Sequence, residues 1–379
     1  MTATVIPTDA PATGTLSTGA TAALAAAARR HRTVTLVGTG IGVACLLLLP
    51  VVLNSYWLFL VSTWLAYTVA VMGARVLFGV AGVLSLAQAT FVGVGAYTAA
   101  ISASILGLTA LPEFLLVIAV SVTASLLVAI PALRVGGLRL ALLTLAFGEL
   151  FQWWVREQRE ITGGPQGLPV ASFYIPGVNT TGPVFLYTLC AVAAVATTVV
   201  LGRLGRLQLG RNLAAVKESE FAARSVGINI TRTKVTAFVI AGVCAGVSGF
   251  LVAHVEQSVN PQSFDLFDSV YILVGVILGG SGSTFGAWLG AAYISLVPAI
   301  FASAGQDRLY VLLSGALLVA LVYLLPGGLV EAFERIPLVR RGRAWLRPSW
   351  PAPGPDPAHP PGPQPDPSEQ NNPISGAVR

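Results

Sequence analysis

Long apolar runs follow one another along the chain, separated by short polar stretches. A helix that crosses a membrane needs about 20 mostly apolar residues, and most of these runs reach or approach that length. Ten runs qualify as candidate spans: 33–53, 56–77, 79–108, 113–133, 138–155, 183–203, 235–256, 267–281, 284–303 and 309–326. The pattern therefore predicts an all-α polytopic integral membrane protein with about ten transmembrane helices.

Two of the runs are not expected to form plain straight helices. Run 79–108 is too long for one span and rich in glycine, so we expect a broken or re-entrant piece at 79–90 before a helix from about Phe91. Run 267–281 is short, and Gly279, Gly280 and Gly282 are expected to end it.

The composition excludes a soluble globular protein. Hydrophobic residues make up 55% of the chain and charged residues 10%, where soluble domains carry about 25% charged residues. Mean hydropathy is +0.77. In a membrane protein the net charge of +6 concerns the orientation of the spans, so it does not indicate a nucleic-acid partner.

The distribution of basic residues predicts the orientation. With the N-terminus placed in the cytoplasm, only Arg156, Arg159 and Arg308 of the 22 lysines and arginines fall outside. Because cytoplasmic loops carry the excess of Lys and Arg, this arrangement places both termini in the cytoplasm.

The same arrangement divides the chain. Residues 1–32 are expected to be a disordered or interfacial segment, and 33–330 the transmembrane domain, with a cytoplasmic loop at 204–234 and an external loop at 156–182. Residues 331–379 form a basic and then Pro-rich cytoplasmic tail, whose proline content argues against packing.

The sequence argues against an enzyme. A phosphate-binding P-loop ends in Gly-Lys-Ser/Thr, but the only two lysines, Lys217 and Lys234, follow Val and Thr. The three cysteines and three histidines are scattered without metal-ligand spacing. We therefore expect no catalytic residues, no metal and no cofactor, so that energy for transport comes from another subunit or an ion gradient.

The cytoplasmic loop contains a predicted amphipathic helix from Asn212 to Val226, with a favourable i, i+4 pair between Glu220 and Arg224. Gly227 follows as a left-handed C-terminal residue, and Thr231 or Thr233 is expected to cap the next span. The apolar contacts are expected from Leu213, Val216, Phe221, Ala223 and Val226. Such a helix either docks on a partner protein or lies on anionic lipid.

Segment 79–97 is the best candidate for a solute pathway, and Ser85, Gln88 and Phe91 are its candidate pathway residues. Ser85 and Gln88 are the polar groups of this otherwise apolar, Gly-broken stretch, and non-helical backbone at membrane depth needs a protein or water-filled surrounding. Its glycines serve either the pathway or close helix packing. Glu149, in the outer half of the fifth span, is the other pathway candidate.

Four further titratable residues lie close to predicted membrane interfaces, where we interpret them as solvated helix ends: His254, Glu256, Asp265 and Asp268.

Several segments together resemble the branched-chain amino-acid ABC permeases of the LivM and LivH type, LivM more closely. Glu220-Phe221-Ala222-Ala223 followed by Gly227 is similar to the cytoplasmic "EAA…G" loop of ABC importer permeases, although Phe221 stands where the motif has Glu. Six more segments resemble the family in its order: GVAGVLSLAQATFVGVGAY (79–97), LTLAFGELFQWW (143–154), TGGPQGLP (162–169), NPQSF (260–264), LGGSGSTFGAWLGA (278–291) and LPGGLV (325–330).

The resemblance implies a permease subunit of a bacterial ABC importer in the cytoplasmic membrane, moving branched-chain or related hydrophobic amino acids inward by alternating access. The implied partners are ABC ATPase subunits, on which ATP acts, a second homologous permease, an extracytoplasmic solute-binding protein, the amino acid and membrane lipid. The residues implied to couple to the ATPase are Glu220, Phe221, Ala222, Ala223, Arg224 and Gly227.

Three alternatives remain open on the sequence. A urea or short-amide ABC permease would share much of the pattern. A self-contained secondary transporter or channel would work without an ATPase, although few buried charges support it. A membrane protein whose basic loop only binds lipid or a scaffold would carry no solute.

Overall fold

The computed structural model describes residues 49–50, 53–132, 138–171, 182–205, 207–280 and 282–303, and it is predominantly helical. The helices are α1 (Ser55–Arg75, continued by a π-helical turn at Val76–Val80), α2 (Gln88–Ser104), α3 (Ala110–Ala132), α4 (Leu138–Glu157), α5 (Arg159–Thr162), α6 (Pro183–Leu204), α7 (Gln208–Glu218), α8 (Glu220–Ser225), α9 (Ile230–Glu256), α10 (Leu266–Gly279) and α11 (Thr284–Ser303). Two short strands, β1 (Leu168–Pro169) and β2 (Ser258–Val259), pair antiparallel.

Four of these helices are long and apolar enough to cross a membrane: Ser55–Val80, Ala110–Pro131, Pro183–Leu204 and Ile230–Glu256. Leu266–Gly279 and Thr284–Ile300 are shorter apolar helices. This architecture is that of a polytopic membrane protein. The predicted spans 33–53 and 309–326 lie mostly or wholly outside the described residues, as do segment 1–32 and tail 331–379, so the count of ten remains a prediction.

Polar side chains at the helix starts fix the boundaries that hydropathy leaves open. Asn54 caps α1 by accepting from the Trp57 N–H at 3.1 Å. Asp265 and Asp268 form a reciprocal capping box at the start of α10, in keeping with their interpretation as a helix end.

The predicted cap of the seventh span is wrong. The N-cap of α9 is Asn229, whose side chain accepts from the Arg232 N–H at 3.0 Å, and not Thr231 or Thr233. The hydroxyl of Thr233 instead donates to the Asn229 carbonyl at 2.8 Å. The helix therefore begins before either threonine.

The predicted single helix Asn212–Val226 is also wrong. Ser219 takes extended backbone angles and separates α7 from α8. Its hydroxyl accepts from the Ala222 N–H at 3.2 Å, so it caps α8. A serine that can satisfy an N–H outside helical geometry favours this break.

Helix α9 lies at the centre of the bundle and packs against α1, α2 and α3, while α1 also packs against α6 and α11. The buried positions of α9 are rich in small residues, which allow helices to approach closely where lipid supplies no hydrophobic driving force. Gly95 of α2, for example, lies directly against the backbone of Gly246. Packing is thus one role of the glycines in this region.

The two ends of α9 lie among different elements. Around its first turn are α7, α8 and the end of α1, together with the basic residues Arg75, Lys217 and Lys234; we call this the basic end. Around its last turn the β1–β2 ribbon joins the described part of loop 156–182 to residues 258–259. Ser104 donates to the Pro169 carbonyl at 2.9 Å at this opposite end.

Candidate functional site

The polar segment (residues 208–229) covers the basic end of the bundle with α7 and α8. One face of α7 is buried, with Leu213 and Val216 almost inaccessible, and Ala223 is the buried residue of α8. Gly210 packs against the backbone of Gly205, which holds the start of α7 close to the end of α6. The segment is therefore anchored to the bundle along one face.

The outer face of the polar segment is apolar at two positions. Phe221 is 85% exposed and Val226 is 74% exposed. Of the five residues expected to supply apolar contacts, Leu213, Val216 and Ala223 are buried against the bundle, whereas Phe221 and Val226 face outward. Phe221 and Val226 therefore place apolar surface on the side of the polar segment that faces away from the bundle.

Glu220 connects α8 to α9. Its carboxylate accepts from the Lys234 ammonium at 2.5 Å, so the predicted pair with Arg224 is wrong. Lys234 lies in the second turn of α9. Arg224 is exposed, as are Glu220 and Ala222, so these members of the predicted coupling set lie on the outside of the polar segment.

Gly227 ends α8 in the left-handed conformation. Its φ is +82°, its N–H bonds the Arg224 carbonyl at 3.0 Å, and the following Ile228 N–H bonds the Ala223 carbonyl at 3.0 Å. The prediction for this residue is confirmed in its geometry. The turn sets the direction in which the chain enters α9, because only two residues separate Gly227 from Ile230.

The unwound segment (residues 81–87) is the non-helical connection between the π-helical turn that ends α1 and the start of α2. Gly82 has a φ of +67°, which suits glycine, and α2 begins at Gln88, three residues earlier than expected from the sequence. The Leu86 N–H donates to the Thr144 hydroxyl of α4 at 3.0 Å, and the Ala89 N–H donates to the Ser269 hydroxyl of α10 at 3.1 Å. Side chains of two other helices thus hold this stretch.

The predicted pathway residues fall into three environments. Ser85 and Gln88 are buried in or beside the unwound segment, and Phe91 is fully buried with its ring 5.7 Å from that of Phe147. Glu149 is exposed and lines a small polar cavity together with Leu86 and Thr90, which places it beside the same segment.

Gln88 has an unusual environment for a buried amide. It is 3% exposed, and neither its Oε1 nor its Nε2 has a hydrogen-bond partner among the described residues. A buried amide without partners is costly, so such groups usually bind water or a ligand. This side chain offers both a donor and an acceptor to a small polar molecule.

An open groove with a volume of about 610 Å³ lies elsewhere, over α9 between α3 and α6. Its side chains are apolar apart from Thr109 and Thr197. Because it offers no charged group, it does not suit a zwitterion.

Two functional candidates were missed by the sequence reasoning. Glu113 of α3 and His254 of α9 form a buried pair, Oε1 to Nε2 at 2.7 Å, with each side chain 2% exposed. The interpretation of His254 as a solvated helix end is therefore wrong. Lys217, which the sequence analysis names only because it does not match a P-loop, donates from its ammonium to the Gly79 carbonyl at 2.7 Å.

A family profile and the individual relatives of this chain identify the same family. The profile described as "Branched-chain amino acid transport system / permease component" matches residues 56–322. The chain is similar to the high-affinity branched-chain amino acid transport system permease protein LivM of Salmonella typhimurium, with 33% identity over 293 residues, 70% of this chain and 67% of LivM. LivM of Escherichia coli is 33% identical over 291 residues, with the same shares covered.

No solved structure matches the chain. The family profile nevertheless covers the apolar helices described above, from the second residue of α1 to beyond the end of α11. The chain belongs to the family of permease components of branched-chain amino acid transport systems.

Proposed function

We propose that this chain is the permease subunit of a bacterial ABC importer that moves branched-chain amino acids inward. The observation that carries the proposal is the polar segment, anchored to the bundle by Leu213 and Val216 while it exposes Phe221 at the basic end. The similarity to LivM along most of the chain supports the substrate class. ATP binds and is hydrolysed on separate ATPase subunits.

The basic end faces the cytoplasm in this proposal. Cytoplasmic loops carry the excess of Lys and Arg, and the basic residues of the polar segment supply that excess here. The β1–β2 ribbon then lies on the outer side, where loop 156–182 is the landing surface for the solute-binding protein. Both termini are cytoplasmic, and a second homologous permease completes the pathway.

Coupling runs from the ATPase through α8 to α9. Phe221, Ala222 and Arg224 contact the ATPase, while Ala223 and the Glu220–Lys234 ion pair hold α8 to the bundle. Closure of the ATPases upon ATP binding displaces α8. Because Gly227 fixes the turn between α8 and α9, the displacement reaches α9 and the helices packed on it.

The pathway runs beside the unwound segment. Ser85 and the amide of Gln88 offer polar groups to the zwitterion, Phe91 supplies an apolar wall, and Glu149 lies at the neighbouring polar cavity. An amide with a free donor and acceptor can meet both the carboxylate and the ammonium of an amino acid. Selection rests mainly with the binding protein, so the permease needs only weak contacts.

Substitution of Phe221 by Asp tests the docking surface. Placing a charge at the exposed centre of an apolar contact is expected to lower the amount of ATPase that co-purifies with the tagged chain by at least about tenfold. The matched control is Tyr56→Asp, since Tyr56 is also exposed but lies in the first turn of α1, the helix that reaches the basic end only at its last residue, Arg75.

Retention of the ATPase by the control and its loss from Phe221→Asp support docking through the polar segment. Equal ATPase recovery with both variants contradicts it. Loss with both variants points to a general defect in assembly and contradicts a specific role of Phe221.

Gly227→Val tests the turn between α8 and α9. A β-branched residue at φ +82° costs about 1–3 kcal/mol of local strain, although a β-carbon there meets no neighbouring atom. Uptake by Gly227→Val is expected to be lost while membrane insertion stays normal, and Gly227→Asn is expected to keep uptake because asparagine tolerates this conformation. Normal uptake by the valine variant contradicts the coupling role of the turn.

A further inference from the structure

Lys217 connects the polar segment to the end of α1. Its ammonium donates to the Gly79 carbonyl at 2.7 Å, across 138 residues of sequence. Its aliphatic stem crosses Gly82, where a β-carbon would lie 2.9 Å from Lys217 Cγ. The side chain thus contacts the chain immediately before the unwound segment and within it.

The local backbone explains why a cation binds there. Residues 76–80 form a π-helical turn, and the carbonyls of Val76 and Leu77 accept from the N–H groups of Ala81 and Val83. The carbonyls of a helix C-terminus carry partial negative charge, so a lysine from a neighbouring element is favourable at this point.

The contact lies close in sequence to the residues of the proposed pathway. Gly82 is three residues before Ser85 and six before Gln88. The other described attachments of this stretch are hydrogen bonds from Leu86 to Thr144 and from Ala89 to Ser269, which join it to α4 and α10. The unwound segment is therefore contacted by α7 at its start and by other helices at its end.

We propose that Lys217 is a positioning residue that transmits displacement of the polar segment to the unwound segment, and through it to Ser85 and Gln88. This inference rests on the proposed function. Displacement would then be transmitted in two ways. One passes through Gly227 to α9, and the other passes from α7 through Lys217 to the unwound segment. Movement of α7 shifts the Gly79 carbonyl and the Gly82 turn, and the shift changes the position of the Gln88 amide.

A purely structural role for Lys217 predicts a different result. The residue is exposed, and one hydrogen bond at such a position adds little to stability. Loss of the bond should then leave assembly, stability and transport nearly unchanged. The ratio of amino acid transported to ATP hydrolysed distinguishes the two roles.

The experiment uses the complete complex, purified with its ATPase and second permease and reconstituted in liposomes with the solute-binding protein. Uptake of labelled leucine and ATP hydrolysis are measured together. For Lys217→Met we expect normal ATPase recovery and thermal stability, with uptake per ATP lowered by about tenfold. Lys217→Arg, which keeps a cationic donor, is expected to restore most of the ratio.

The matched control is Arg232→Met, which removes an exposed positive charge from the first turn of α9 at the same end. This variant is expected to resemble the wild type. A lowered ratio in Lys217→Met but not in Arg232→Met supports the inference.

Three outcomes overturn it. Uptake per ATP within about twofold of wild type for Lys217→Met removes the coupling role. Loss of ATPase from that variant makes Lys217 a docking residue. An equal defect in Arg232→Met makes the effect one of general charge. None of these three outcomes contradicts the proposed function. The proposed function is contradicted separately if the wild-type complex shows no ATP-driven uptake.

Discussion

Gly249→Ala is expected to destabilise the purified protein by about 3 kcal/mol, at the upper end of the cost of overpacking a well-packed core. A β-carbon on Gly249 would overlap the carbonyl oxygen of Val92 and lie 2.7 Å from the nitrogen of Ala96. Both atoms belong to the backbone of α2, so no side-chain rotation can relieve the overlap. The helices α2 and α9 would have to separate along their shared face.

Gly202→Ala in α6 is the matched control for this substitution. No atom lies within 4 Å of a β-carbon at that position, and alanine favours a helix over glycine by up to about 1 kcal/mol. We expect the midpoint of thermal unfolding in detergent to fall for Gly249→Ala and to stay level or rise for Gly202→Ala. Equal midpoints for the two variants would contradict the close approach of α2 and α9.

Glu113→Leu is expected to cost about 3–5 kcal/mol, because it leaves His254 buried without its carboxylate partner. The pair joins α3 to α9 at 2.7 Å, and the ring of His254 also lies 4.8 Å from that of Phe250. Each side chain is 2% exposed, and the contact gives each of them a polar partner inside the bundle. Removal of one partner takes that contact away from the other.

Replacement of both partners distinguishes pairing from packing. The double variant Glu113→Leu/His254→Leu is expected to be more stable than Glu113→Leu alone, since it also removes the buried imidazole that has lost its carboxylate partner. Glu157→Leu, at an exposed position of α4, is the control for the loss of a carboxylate and should be close to neutral. A double variant no more stable than the single one would show that the pair is not the source of the effect.

The positions of the apolar helices could be predicted well, because a span needs about 20 apolar residues and few stretches of the chain meet that requirement. The boundaries predicted for spans 56–77 and 183–203 agree with those of α1 and α6 to within two residues. The ends themselves depend on caps such as Asn229, and a single polar residue decides among neighbouring candidates. Ser219 divides the polar segment for the same local reason.

Contacts between distant residues could not be predicted in this way. Glu113 and His254 are 141 residues apart, and the sequence gives no periodic signal that joins them. Gly79 and Lys217 likewise meet only after α1 and α7 have packed at the same end. The outward direction of Phe221 is a further case, since a helical pattern does not indicate whether its apolar face lies on the protein or on a partner.

Both routes out of the polar segment begin at neighbouring residues. Lys217 contacts the unwound segment, and Glu220 with Gly227 connects to α9. In the proposed mechanism, a displacement of the polar segment reaches the pathway through α7 and the central helix through α8. These two contacts are the means by which we expect the permease to respond to nucleotide bound on another subunit.

ATP-driven import of branched-chain amino acids can be measured as uptake of labelled leucine by the reconstituted complex. Liposomes loaded with ATP on the side of the ATPase are compared with liposomes that lack ATP or carry an imposed proton or sodium gradient. We expect uptake only with ATP and the loaded binding protein, with competition by isoleucine and valine but not by urea. Leucine uptake driven by an ion gradient without ATP, or ATP-driven uptake of urea in preference to leucine, would contradict it.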